Sequence, residues 1–388
     1  MAKIRRYDLD WLRVIVFGLL ILYHVGMFFV PWGWHIKNNE LYDWLRWPML
    51  FVNQWRLPIL FVISGMGTAF ALSSRSIKEF IKERNARLGI PLLFGILFIV
   101  PPQVYIERIV NGQFAGGYLE FWPWHTFDNG VYPEGNFTWH HLWFLPYLLV
   151  FSLILSPVFG FLRKRPDAGI LTWLRKWLEH NPFNLFILVI PLFLYESLME
   201  PFFEVTHNLV WDWFNFVSSM TLFFYGFVLI SIRKTFWDAV VQIRKKTLGL
   251  GIAAFCGLLV IWLFFVDSIT IHFIEAALKT VNLWAWILTI FGYASIWLNR
   301  PSPTLAYANR AVYPFYILHQ SITIIIGYWI FDLNWGFWPK ALILVIGTFL
   351  GSWALYEFVI RRVKWLQPLF GVKAVNTAYK SLAAQQSG

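Results

Sequence analysis

Ten runs of about 20 apolar residues follow one another along the chain, near 11–30, 48–72, 88–106, 141–162, 183–202, 213–232, 247–266, 280–298, 312–331 and 340–360. Each is long enough to cross a hydrocarbon core of about 30 Å as a helix. Hydrocarbon offers no partner to a backbone N–H or C=O, so runs of this kind become helices. The expected fold is therefore all-α, a polytopic membrane helical bundle of about ten transmembrane helices. Hydrophobic residues make up 58% of the 388, which excludes an ordinary soluble chain. The connections are short and contain no Pro/Ser/Gly linker. One integral-membrane domain over 1–388 is expected, with a core of about 5–371 and a cytoplasmic tail at 372–388.

The net charge of +11 raises nucleic acid as a partner, and its placement argues against one. Most of the Lys and Arg residues fall in segments that ten spans put on one side. These are the N-terminus with Lys3, Arg5, Arg6 and Arg13, the stretch Arg75 to Arg87, Arg163 to Lys176, Arg233 to Lys246, Arg300 with Arg310, and Arg361 to Lys380. That asymmetry marks the cytoplasmic face, so both termini are expected there. The opposite loops are aromatic, Gly-rich and weakly acidic, with Trp122, Trp124 and Trp139 among them. They read either as an interfacial belt against membrane lipids or as a platform for a sugar. Cys256 is the only cysteine, which excludes an intramolecular disulfide and any Cys-based metal site.

Two residues in the first run do not suit a lipid-facing helix. Arg13 and His24 are eleven residues apart, which returns them to one stripe after a rise of roughly 16 Å. Arg13 alone reads as a basic residue snorkelling to headgroups. His24 lies deeper, where an ionisable group is expensive, and a neutral imidazole there is suited to accept a proton. In "LPILFVISGMG", Ser64 and Gly65 suggest a close helix approach, while Arg56 reads as an interfacial anchor or as a charge aimed at a ligand. Arg84 and Arg87 share a helical face if that segment is α-helical and offer guanidinium groups for phosphate. His140 and His141 begin the fourth run, His319 lies in the ninth, and Glu357 near the inner end of the tenth pairs with an arginine or serves a site. Adjacent histidines point apart on a helix, so no metal site using both is expected. Zinc-protease, calcium-loop, Walker and dinucleotide-binding patterns are absent.

Arg13-x10-His24, "LFVISG", Arg84-x-x-Arg87, "HHLWFLPYLL" and "YPFYILHQ" occur in that order. Together they resemble the acyltransferase type 3 family of bacterial membrane O-acyltransferases. "HLWFL" and the ending "YEFVIRR…LFG" are similar to its glucan-biosynthesis protein C branch. The resemblance implies a multi-pass inner-membrane enzyme moving an acyl group, acetyl before succinyl, from cytoplasmic acyl-CoA to a hydroxyl of an extracytoplasmic glycan. It implies an essential role for His24 and a donor-side role for Arg84 and Arg87. Acyl-CoA is then a co-substrate, with no tightly bound cofactor and no metal. Arg13 joins the two arginines at the CoA phosphates, and His24 is the general base. Arg56, Ser64 or the outer histidines would stabilise the oxyanion, and Ser64 is the candidate for a covalent acyl-enzyme. Trp139, His140, His141, Trp143, His319 and Glu357 are the expected acceptor-binding residues. A transporter or flippase for a glycan or lipid-linked precursor would also have ten spans and an aromatic outer mouth.

Overall fold

A computed structural model describes residues 5–372. Lys3, Lys373, Lys380 and all but the first residue of the expected tail lie outside the described residues. Among the described residues, 9 helices are long and apolar enough to cross a membrane. They are α1 (Tyr7–Met27), α2 (Asp43–Leu72), α3 (Ile77–Val110), α4 (His140–Lys164), α5 (Pro182–Phe202), α6 (Trp213–Ser231), α7 (Arg233–Phe264) and α8 (Ile269–Trp297), with α10 at Phe337–Ile360. Between α8 and α10 runs α9, Pro303–Ile330, 28 residues long. It covers nearly all of the ninth expected run, 312–331, but starts earlier, at Pro303, and His319, Gln320, Ser321 and Thr323 make its middle less apolar.

Several helices outrun their apolar stretches. α7 begins at Arg233 and α8 at Ile269, because a helix propagates through polar residues once nucleated. The basic segment after α4 contains a further amphipathic helix, Gly169–His180, which buries Leu171, Leu174 and Leu178 along one stripe.

The described chain gathers into two compact units. The first comprises the chain up to Tyr23, Tyr42–Glu83 and Trp143–Asn309. Here α2 and α6 meet backbone to backbone. A Cβ added at Gly65 would stand 1.9 Å from the Phe223 carbonyl oxygen, and one at Gly226 would stand 2.0 Å from that of Val62. The expected close approach at Gly65 is thus a reciprocal glycine contact, the small-residue route to helix packing in lipid. The loop before α6 is tied down by the buried Asp212, which accepts from Tyr147 Oη, from the Thr206 N–H at 2.8 Å and from Asn215 Nδ2 at 2.7 Å.

The second unit comprises His24–Leu41, Arg84–Leu142 and the chain from Arg310. Prolines shape it. Pro91 brings no N–H to the carbonyls of the turn before it, and Tyr313 Oη donates to one of them, that of Arg87, at 2.9 Å. Pro101 likewise frees Leu97, whose carbonyl accepts from Trp122 Nε1 at 2.8 Å. A carbonyl left unpaired in lipid costs several kcal/mol, so these side chains make the prolines tolerable. The helix widens where they act, with π-type turns at Asn85–Gly89 and Gly95–Ile99. Lys340 of α10 is fully buried, and its Nζ donates to Asn38 Oδ1 at 2.6 Å, Asn39 Oδ1 at 3.0 Å and the Phe331 carbonyl at 3.1 Å.

Candidate active site

α1 is continuous through both Arg13 and His24, so the rise of roughly 16 Å between them holds along the helix. His24 occupies its last turn and is half-buried. Behind it stands His319 of α9, fully buried. The rings stack 6° from parallel, and His24 Nδ1 lies 2.8 Å from His319 Nε2.

The protons on these rings follow from their surroundings. A carbonyl can only accept, and His319 Nδ1 lies 2.7 Å from the Tyr316 carbonyl, so His319 carries its proton on Nδ1. Its Nε2 is then the acceptor, and His24 must donate from Nδ1. The lone pair of neutral His24 therefore resides on Nε2. One imidazole orients the other, with the backbone fixing the first. A proton gained at Nε2 would leave the Nδ1 hydrogen bond in place and strengthen it.

His141 completes this cluster. Its ring meets that of His319 edge to face at 5.2 Å, its Nε2 donates to the Ile317 carbonyl at 3.0 Å, and its Nδ1 accepts from Gln103 Nε2 at 3.3 Å. Tyr316 Oη donates to the His141 carbonyl at 2.7 Å. Gln103 also bonds Ser321 Oγ and receives Gln320 Nε2 at 3.0 Å. Sequence reasoning singled out the three histidines separately and missed Gln103, whose amide binds His141.

The profile of the acyltransferase domain family matches residues 6–357. The chain belongs to the acyltransferase type 3 family. Among curated proteins it is similar to glucans biosynthesis protein C of Escherichia coli O81 (strain ED1a) and of Escherichia coli (strain SMS-3-5 / SECEC). Each is 25% identical over 392 residues, covering 96% of this chain and 95% of the relative. No solved structure matches. This family member is thus an O-acyltransferase built as a multi-pass membrane helical bundle.

The remaining expected residues of this acyltransferase fall in several places. Arg84 and Arg87 both lie close enough to Tyr313 to act on it electrostatically. The turn from Asn85 is π-helical, so their three-residue spacing does not set them on one α-helical face. Arg84 is half-buried and Arg87 exposed. Arg13 donates to Asp10 Oδ1 at 3.2 Å and to Asn309 Oδ1 at 3.1 Å.

Arg56 is buried, lies over the Tyr23 ring at 3.4 Å and donates to Asn53 Oδ1 at 2.9 Å. Ser64 is half-buried on α2, and its carbonyl accepts from Thr68 Oγ1 at 3.0 Å. Trp143 packs on His207 at 4.0 Å. Trp139 is half-buried, Trp124 is exposed, and the Trp122 indole is committed to the Leu97 carbonyl. His140 turns away from His141 towards His35, ring to ring at 4.3 Å. Glu357 holds Arg361 through both carboxylate oxygens at 2.8 Å, the salt bridge open to it from the sequence.

Proposed function

We propose that this acyltransferase moves an acyl group from acyl-CoA to a hydroxyl of a glycan on the opposite face of the membrane, with His24 as general base. The observation that carries the reading is the tautomer chain Tyr316 carbonyl, His319, His24, which leaves the lone pair of a held imidazole on Nε2. The acceptor hydroxyl gives its proton to that nitrogen as its oxygen attacks the thioester carbon. The tetrahedral intermediate then collapses to the ester and a CoA thiolate, which recovers the proton from His24.

The basic segments face the cytoplasm in this reading, with both termini there. Arg84 and Arg87, at the start of α3, receive the CoA phosphates, for which a guanidinium fork is suited. A glucan acceptor is supported by what the similar E. coli proteins are named for, glucan biosynthesis. Acetyl is the first acyl group to test and succinyl the second.

The purified protein in proteoliposomes, given labelled acetyl-CoA or succinyl-CoA and glucan oligosaccharides, should form acylated glucan and free CoA in equal amounts. His24→Ala should lower turnover by about 10²–10⁴-fold, the usual worth of a general base, while acyl-CoA still binds. Near wild-type turnover in that variant would refute the role of His24.

A further inference from the structure

We propose that His35, Glu107 and His140 bind a divalent transition-metal cation of the zinc type. His35 lies in the loop after α1, Glu107 near the end of α3 and His140 at the start of α4. All three belong to the second unit. One ligand atom from each can be chosen so that all lie within 4.8 Å of one another. Tetrahedral zinc with bonds of about 2.0–2.1 Å sets its ligands roughly 3.4 Å apart, so closing the site takes about 1.4 Å of side-chain movement.

Three features separate this cluster from a chance meeting of polar groups. His140 Nε2 is buried and makes no hydrogen bond, an expense that a ligand would remove. His35 Nδ1 and a Glu107 carboxylate oxygen are in direct hydrogen-bond contact with side chains 9% exposed, so a cation there would replace the single proton they share. An outer contact is also in place. Tyr132 Oη donates to the other Glu107 oxygen at 3.0 Å, the kind of contact that orients a metal ligand. Two imidazoles and one carboxylate form a set that zinc takes with a fourth position left for water. The neighbouring Arg108 guanidinium is engaged by oxygens of Asn136, Gln113, Pro133 and Gly135.

The purified full chain in detergent, stripped with a chelator, should be titrated with Zn²⁺ and separately with Co²⁺. The expected result is one tight equivalent of Zn²⁺ per chain, visible Co²⁺ ligand-field bands that Zn²⁺ displaces, and a higher thermal midpoint on Zn²⁺ addition. His140→Ala and Glu107→Gln should each weaken binding by at least about 100-fold, since even outer-shell losses cost 10–100-fold. His180→Ala, on an exposed residue, should leave it unchanged. Absence of stoichiometric Zn²⁺ binding by the wild type overturns the proposal, as does binding that survives both ligand variants or is lost instead with His125→Ala at the exposed His125–Asp128 pair. Should either variant fail to fold, the titration and thermal shift of the wild type decide.

Discussion

Replacing His319 by Phe removes the acceptor for His24 Nδ1–H and keeps an aromatic ring in the buried slot behind it. The lost contact is the 2.8 Å bond between the two rings. In the resting enzyme it is a neutral hydrogen bond. Once His24 has taken the acceptor's proton it becomes a bond from an imidazolium, worth about 1.5–3 kcal/mol. Only the gain over the neutral bond, about 1–1.5 kcal/mol, is felt at the chemical step, so its loss should lower kcat by about 5- to 15-fold at 1.36 kcal/mol per tenfold. The Tyr316 carbonyl that loses the His319 N–H belongs to a regular turn of α9, and the fold should survive. KM for acyl-CoA should stay within a few-fold, because the CoA phosphates are assigned to Arg84 and Arg87. His319→Gln can still present an oxygen to Nδ1–H and should recover most of the rate. In a His24→Ala background, His319→Phe should cost nothing further, as for groups acting as a unit. Steady-state transfer with acyl-CoA varied measures all three. A Phe variant with wild-type kcat would refute the orienting role, and equal losses in the Phe and Gln variants would trace the effect to packing instead.

Gly65→Ala should lower the thermal midpoint in detergent, since the new methyl would meet the Phe223 main-chain oxygen and overpacking of this kind costs about 1–3 kcal/mol; an unchanged midpoint would contradict the close approach of α2 and α6. Changing Arg84 and Arg87 together to Lys keeps the charge and removes the planar fork, so KM for acyl-CoA should rise while KM for the glycan does not, and an unaltered donor KM would place the donor contacts elsewhere. Burial holds the His207 imidazole down at about 4; Asp212 opposes the shift and Arg56 reinforces it. The unfolded chain then binds the extra proton from pH 6.5 downwards and the folded chain only near 4, so stability falls as pH drops through that window and is flat above it. His207→Gln should flatten this acid limb in thermal melts, and an identical profile would refute the assignment.

The spans were legible because a membrane sets their length and hydropathy is local. α9 was legible as a run although its polar middle breaks the pattern. Gly65 showed itself as well, since a small residue in an apolar helix has few other uses. The candidate site was legible residue by residue and not as an arrangement. His24 and His319 each stood out as intramembrane imidazoles, yet they are 295 positions apart, and no spacing rule reaches across that distance. The expected shared face of Arg84 and Arg87 assumed α-helical geometry, and the π-type turn just ahead of Pro91 altered it. His35 and Glu107 carried only a weak signal, a histidine in a loop and an acid at the end of an apolar run. Their meaning depends on what folding brings beside them.

The carbonyls released by proline carry a consequence for how the sequence can change. Pro91 and Tyr313 lie on different helices, yet one withholds an N–H from the turn whose Arg87 oxygen the other satisfies. Neither is a neutral site while the other is kept. Losing the Tyr313 hydroxyl is harmful with proline at 91 and harmless once residue 91 again supplies an N–H, and the same dependence joins Pro101 to Trp122. Each pair behaves as one heritable unit, and among relatives the proline should disappear before its distant donor does.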